Sequence, residues 1–205
     1  MNPTLTATPP RSGISPGISP GITLGQFTAT FVPFALLLSA ALMGAEVSQT
    51  LVLARVHTTS WVSLAFFTVA FCLYAWPGDP PRRRSWWLLF WTFSLLAYLV
   101  HFGYSFFGVH HGSLADIWRS QRPLIASSNF LVTLWWTADV VHGWLRRDGR
   151  WRNIPRTLLH VLAFVTFFVS SLVLFGGPVR FLGAAMTAAV AVALGARLLR
   201  RLHHS

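Results

Sequence analysis

The sequence predicts an all-α integral membrane protein: a bundle of six transmembrane helices with both termini in the cytoplasm and a short outer-surface helix between spans three and four. Its composition is the first reason, because 54% of the 205 residues are hydrophobic and only 10% are charged, whereas soluble domains carry about 25% charged residues. Several apolar runs are also long enough to cross the hydrocarbon core of a bilayer. The third reason is that the basic residues cluster in alternate connections between these runs. Together these features argue against a soluble protein.

The N-terminal segment differs from the rest of the chain. Residues 1–25 contain the tandem ISPGISPGI, in which Pro and Gly recur too often for a helix. We predict that residues 1–25 form a flexible Pro/Gly/Ser-rich cytoplasmic tail and that residues 26–205 form the six-helix transmembrane domain. The tail does not resemble a signal peptide, because its polar stretch is too long and no small-residue cleavage site follows an apolar core.

The apolar runs define the spans and the connections between them. Charged or Gly/Pro-rich turns separate them, such as PGDPPRRR at 77–84 and GGPVR at 176–180. In the longest outer connection, 109–123, Ser113 and Asp116 have the spacing of a capping box, which predicts the short surface helix. We predict transmembrane spans at 27–54, 60–76, 85–108, 124–145, 156–176 and 179–202.

The arginines predict the orientation. All 16 basic residues are arginine, and twelve fall on one side of a six-span arrangement. By the positive-inside rule this side faces the cytoplasm. The twelve are Arg11, Arg82, Arg83, Arg84, Arg146, Arg147, Arg150, Arg152, Arg156, Arg197, Arg200 and Arg201, against Arg55, Arg119, Arg122 and Arg180 on the other side.

Charge and cysteine content narrow the class of protein further. The formal net charge of +11 does not indicate a nucleic-acid partner, because the arginines lie in short loops between apolar runs. The expected partners are the lipid bilayer and other membrane subunits, in a bacterial inner membrane. The single Cys72 excludes an intramolecular disulfide and a cysteine-based metal cluster.

Polar residues inside spans are costly and are therefore functional candidates. Depth along the spans sorts them into an outer group with Glu46, His101 and Tyr104, and an inner group with Asp139, His142 and His160. Span three carries one polar and aromatic face, formed by Trp87, Trp91, Ser94, Tyr98, His101 and Ser105. From these residues we predict a buried polar site of Glu46, Tyr98, His101, Tyr104 and Asp139.

Two details of packing follow from the same pattern. We expect His101 to face the bundle interior and to pair with Glu46, whereas His110 and His111 lie at the outer surface where the helix ends. In span six we expect small residues to form a tightly packed face. They are Gly183, Ala184, Ala188, Ala191 and Gly195.

Three functions remain open from the sequence. The first is a non-enzymatic accessory or assembly subunit, or a module that binds an apolar ligand in its aromatic interior. The second is a redox module that binds b-type haem between His142 and His160, which lie at matching depth on adjacent spans, or a quinone. Its candidate cofactor-binding residues are His142, His160, His101, Trp135 and Trp136.

The third function is proton or ion conduction through the two polar groups. An enzyme is not expected, because the sequence has no glycine-rich nucleotide loop. It also has no HExxH motif, and a metal ligand set is not defined.

Overall fold

The computed structural model describes residues 21–78, 81–121, 123–145, 153–174 and 177–203. These residues form seven helices and no strand, and six of the helices are long and apolar enough to cross a membrane. The helices are α1 Leu24–Ala45, α2 Leu51–Ala75, α3 Pro81–Gly103, α4 Leu114–Ser120, α5 Pro123–Leu145, α6 Ile154–Phe168 and α7 Pro178–Leu202.

The predicted boundary between the first two spans is wrong. The expected span 27–54 is divided by a turn at residues 46–50, and α2 already begins at Leu51. The predicted span continues through the apolar residues Leu51, Val52 and Leu53, but the short polar segment 46–50 separates them from α1. Arg55, expected in the outer connection, therefore lies in the second turn of α2.

The N-terminal boundary also differs slightly. Residues 1–20 of the predicted tail lie outside the described residues, and α1 begins at Leu24 rather than after residue 25. Thr23 caps the helix: its hydroxyl accepts a hydrogen bond from the Gln26 amide at 3.1 Å, and the Gln26 side chain accepts one from the Thr23 amide at 3.0 Å. This reciprocal capping box fixes the start of the first span.

Five helices enclose the main core, and α1 lies outside them. Helix α2 packs against α1, α3 and α7, α3 also packs against α5, and α5 packs against α6. The ring closes where α6 meets α7. The core inside the ring is aromatic, with Phe67, Trp87, Trp91 and Trp136 almost fully buried, whereas α1 contributes Phe34 to a separate cluster against α2 and α3.

The contact between α2 and α3 is fixed by a pair of serines. The Ser63 hydroxyl donates to the Ser94 carbonyl at 3.0 Å, and the Ser94 hydroxyl donates to the Ser63 carbonyl at 2.8 Å. Both side chains are fully buried. Small hydroxyl residues allow two transmembrane helices to approach closely and bond across the contact, so this pair fixes the register of α3 against α2.

Two helices change their winding before they end. Helix α3 continues as a π-helix over Tyr104–Val109, and α6 continues as a π-helix over Val169–Leu174. The second segment packs against α7, where a Cβ atom at Gly183 would collide with the Ser171 hydroxyl and lie 2.9 Å from the Ser171 Cβ. The contact therefore leaves no room for a side chain at Gly183.

The expected small-residue face of α7 is mostly wrong. Gly183 is buried as predicted, but Ala184, Ala188 and Ala191 are exposed, and a Cβ at Gly195 would meet open space. The residues that face the core are Gly183, Met186, Val190 and Ala193. Small size permits close packing but does not determine which face is packed.

The predicted short helix between spans three and four is present as α4. Ser113 caps it as expected, because its hydroxyl accepts a hydrogen bond from the Asp116 amide at 3.2 Å. Just before it, His111 and Gly112 adopt positive φ angles of 50° and 75°. The chain therefore leaves the π-helical end of α3 and enters α4 through a sharp turn.

Candidate functional site

A fully buried histidine lies between two aromatic rings inside the described bundle. His160 of α6 is 1% exposed. Its ring stacks on Trp91 with a centroid distance of 4.1 Å and an interplanar angle of 9°, and on Tyr74 with 4.0 Å and 16°. This stack joins the three helices α2, α3 and α6. Burying the polar imidazole costs free energy unless its nitrogens form hydrogen bonds.

Both ring nitrogens of His160 are engaged. The Nε2 atom lies 3.1 Å from the indole N–H of Trp87, which can only donate, so Nε2 is the acceptor. The Nδ1 atom lies 2.8 Å from the carbonyl oxygen of Arg156, one helical turn earlier, and donates to it. These bonds define a neutral imidazole protonated at Nδ1.

A buried ion pair lies next to the histidine. The Nε atom of Arg156 donates to Oδ1 of Asp139 at 2.7 Å, and the indole N–H of Trp91 donates to Oδ2 at 3.0 Å. The side chains of Arg156 and Asp139 are only 4% and 10% exposed. The guanidinium also lies over the Trp87 ring, 4.8 Å from its centroid, which adds a cation–π contact.

Local sequence explains how α6 presents these groups. Asn153 caps the helix by accepting a hydrogen bond from the Arg156 amide at 2.9 Å, and Pro155 occupies the first turn, where its missing N–H has no cost. Arg156 and His160 are four residues apart and so share a helix face. Thr157 shares a hydrogen bond with the Tyr74 hydroxyl at 2.6 Å, which ties the start of α6 to the end of α2.

We call Tyr74, Trp87, Trp91, Asp139, Arg156 and His160 the inner cluster. It joins α2, α3, α5 and α6 near the ends where α2 and α5 finish and α3 and α6 begin. The carboxylate oxygens, both imidazole nitrogens and both indole N–H groups of this cluster have intramolecular partners. The polar groups of the inner cluster therefore bond to one another and hold the four helices together.

An aromatic column continues from the inner cluster toward the other end. Trp136 lies 4.4 Å from Trp91 between ring centroids, and Tyr98 lies 5.8 Å from Trp136. Phe67 and Phe167 contact Trp136 edge to face, at 6.0 and 6.3 Å. The Trp136 side chain is fully buried, and its indole N–H has no hydrogen-bond partner among the described residues.

The outer polar residues form different pairs from those expected. Glu46 caps the end of α1 and forms an ion pair with Arg55 of α2, whose guanidinium lies 5.5 Å from the centre of the Tyr104 ring. The Nδ1 atom of His101 bonds instead to the carbonyl oxygen of Val56 at 2.8 Å. The expected bond between His101 and Glu46 is therefore replaced by two separate contacts to α2.

His101 differs from His160 in one chemical respect. A carbonyl oxygen can only accept, so Nδ1 carries the proton and Nε2 holds a lone pair. Tyr98 lies near it, with 5.9 Å between ring centroids, and the Tyr98 hydroxyl shares a hydrogen bond with Thr133 at 3.3 Å. In contrast to His160, His101 makes no hydrogen bond through its second nitrogen to the residues that the structure describes.

The remaining predicted residues are distributed over interior and surface. His142 is exposed, and Asp139, three residues earlier, bonds to Arg156 and Trp91. Trp135 is half-buried at the edge of the core. His110 is half-buried and His111 is exposed, beyond the end of the π-helical segment. Across the residues that the structure describes, no three His, Cys, Asp or Glu side chains come together as a metal site.

Sequence reasoning missed Arg156 as a member of the site. It counted this residue among the loop arginines that set orientation, whereas the side chain is buried against Asp139. The signal that could have found it is the sequence NIPR: an Asn cap and a Pro in the first turn place Arg156 inside the helix. Trp87 and Trp91 lie on the predicted polar face, but their hydrogen-bond partners on α5 and α6 could not be read from α3 alone.

Comparisons with known proteins give no relative: no family model, no curated protein and no solved structure matches this chain.

Proposed function

We propose that this chain is a small bacterial inner-membrane protein with both termini in the cytoplasm, and that it acts as a non-enzymatic accessory or assembly subunit. The observation that carries the proposal is the saturation of the inner cluster. The polar side-chain atoms of this cluster form hydrogen bonds with one another: Trp87 with His160, His160 with the Arg156 carbonyl, and Asp139 with both Arg156 and Trp91. A site built for chemistry needs at least one group directed at a substrate or a proton pathway, so the cluster is better suited to holding the bundle rigid while its surface contacts partners.

The tight aromatic column supports a subunit over an apolar-ligand module or a conductor. Between the inner cluster and His101, successive ring centroids lie 4.4, 5.8 and 5.9 Å apart along Trp91, Trp136, Tyr98 and His101. Rings at these separations are in contact, so this part of the interior is filled by side chains. A proton pathway between the two polar groups would have to pass this apolar segment.

A double-variant cycle tests the proposal. Asp139→Asn alone leaves the buried guanidinium without its counter-charge and should cost about 3–5 kcal/mol of stability, as should Arg156→Gln. The pair of substitutions together should recover much of this loss, because an amide at each position keeps a hydrogen bond without a charge. The measurements are unfolding of the purified chain in detergent and the mass of the native complex isolated from membranes.

The expected result is that the double variant folds and forms a native complex of the same mass as the wild type. A double variant that folds with wild-type stability yet no longer enters its complex would contradict the proposal, because the inner cluster would then serve more than the fold. A wild-type chain that purifies as a monomer from its own membrane in mild detergent would also contradict it.

A second candidate is the redox module, and His101 is the observation that favours it. Ligation by His142 and His160 would require His160 to give up its bond to Trp87 and to pair with an exposed residue. His101 instead donates through Nδ1 to a backbone carbonyl, the arrangement that usually orients a ligating imidazole. A Soret band in the native-membrane protein that disappears in His101→Ala but not in His142→Ala would support this candidate, whereas a colourless, fully folded protein would exclude haem.

A further inference from the structure

The fold brings arginines from the start of α3 and the end of α7 to the turn between α2 and α3. Arg83, in the first turn of α3, donates to the Pro77 carbonyl at 2.8 Å. The Arg200 guanidinium, near the end of α7, lies 3.2 Å from the position of a Cβ on Gly78, whose φ of 82° already favours glycine. Arg82 precedes Arg83 and Arg201 follows Arg200, and both are exposed.

This arginine patch, formed by Arg82, Arg200 and Arg201 beside the Pro77–Gly78 turn, carries three positive charges, and none of the acids that the structure describes pairs with them. Among the described acids, Glu46 and Asp116 pair with Arg55 and Arg119, and Asp139 pairs with Arg156. Asp79 and Asp148 lie outside the described residues and are the other two acids in the sequence. The first turn of α3 holds three arginines and no acid, so these cations add to the positive end of the helix dipole.

Apolar side chains border the patch. Leu198, Leu199 and Leu202 of α7 are each more than half exposed, and Trp76 at the end of α2 is 46% exposed. A ligand that satisfies both sets of groups needs an anionic oxygen cluster attached to hydrocarbon. A soluble polyanion would satisfy the arginines but leave the leucines and the indole in water.

We propose that the arginine patch binds the phosphodiester headgroup of an anionic glycerophospholipid. The guanidinium groups of Arg82, Arg200 and Arg201 contact the phosphate oxygens, for which their planar donor fork is well matched. The acyl chains lie against Leu198, Leu199 and Leu202. A lipid held in this way links the beginning of α3 to the end of α7, two helices that meet through α2, and thereby closes this end of the bundle.

Thermal unfolding of the purified full chain tests the proposal. Nanodiscs of phosphatidylcholine are compared with nanodiscs in which part of that lipid is phosphatidylglycerol, and inorganic phosphate is added to the former as a probe for the anion alone. The midpoint of unfolding should rise with phosphatidylglycerol and not with phosphate. The triple variant Arg82→Gln, Arg200→Gln and Arg201→Gln should lose more than half of that rise.

The matched control is Arg119→Gln, an exposed arginine on α4, which belongs to the opposite set of connections. It should keep the full response to phosphatidylglycerol. If the triple variant does not fold, Arg82→Gln alone should show a smaller reduction in the same direction. An equal response in wild type and patch variants, or a wild-type response to phosphate as large as that to phosphatidylglycerol, would overturn the proposal.

Discussion

The neighbouring tryptophans Trp91 and Trp136 are both in the core but have different polar environments. Both are fully buried, and their rings contact each other. The Trp91 indole donates to Asp139 at 3.0 Å, whereas the Trp136 indole N–H has no partner among the described residues. The two indole N–H groups are therefore expected to contribute differently to the free energy of unfolding, although both rings are buried.

Replacing each of these tryptophans by phenylalanine separates packing from hydrogen bonding. Trp91→Phe leaves one oxygen of a buried carboxylate without a donor, whereas Trp136→Phe removes an N–H that was already unsatisfied. We expect Trp91→Phe to destabilise the chain by about 1–3 kcal/mol more than Trp136→Phe. Chemical unfolding of the purified variants measures the difference, and equal losses would show that the Trp91–Asp139 bond contributes little.

The individual site residues show what a sequence can and cannot reveal. His160, Asp139, Tyr98 and His101 could be singled out, because polar groups in apolar spans are rare. Their partners could not, since the bonds of His160 to Trp87 and of Asp139 to Trp91 join helices that are far apart in sequence. Asp139 likewise bonds across helices, to Trp91 and Arg156.

At the scale of the helices, hydropathy predicts spans well and turns between adjacent apolar spans poorly. The last four spans have nearly the predicted bounds because charged or Gly/Pro-rich segments separate them. The turn at residues 46–50 is polar, but it is only five residues long and lies between an alanine-rich helix end and a Leu-Val-Leu helix start, so the predicted span runs through it. The buried face of α7 could not be predicted from the sequence either, because alanine can face lipid as well as a neighbouring helix.

The contact between α6 and α7 provides a test at this scale. Gly183→Ala places a methyl group against Ser171, which lies in the π-helical end of α6. Overpacking of this kind typically costs about 1–3 kcal/mol, so the unfolding midpoint should fall. Ala188→Leu, on the exposed side of the same helix, is the matched control and should have little effect on folding; a larger loss for Ala188→Leu would place the packed face elsewhere.

For the molecule as a whole, six long apolar helices confirm the multi-pass character predicted from composition. Direction across the membrane is a separate property, which depends on the distribution of arginines. Burial of Arg156 removes one residue from the predicted cytoplasmic set, but Arg82, Arg83, Arg84, Arg197, Arg200 and Arg201 remain at helix ends on that side. The arginine asymmetry therefore persists and continues to predict cytoplasmic termini.

Reporter fusions test this orientation. A reporter that is active only in the cytoplasm should be active after Ser205, and one that is active only in the periplasm should be active when inserted after Gly112, before α4. The second fusion is the control for correct insertion of the first three helices. The reverse pattern of activity would mean that the arginine-rich end faces outward.

The ion pair between Asp139 and Arg156 also has a consequence for biosynthesis. Its two members lie on consecutive helices, α5 and α6, so they emerge from the ribosome close together. A lone aspartate or arginine is costly for the translocon to release into lipid. If α5 and α6 leave the translocon as one hairpin, each charge is neutralised by the other before α7 has been synthesised. Helix α3 has been inserted by then, so the Trp91 indole can donate its hydrogen bond to Asp139 at the same stage.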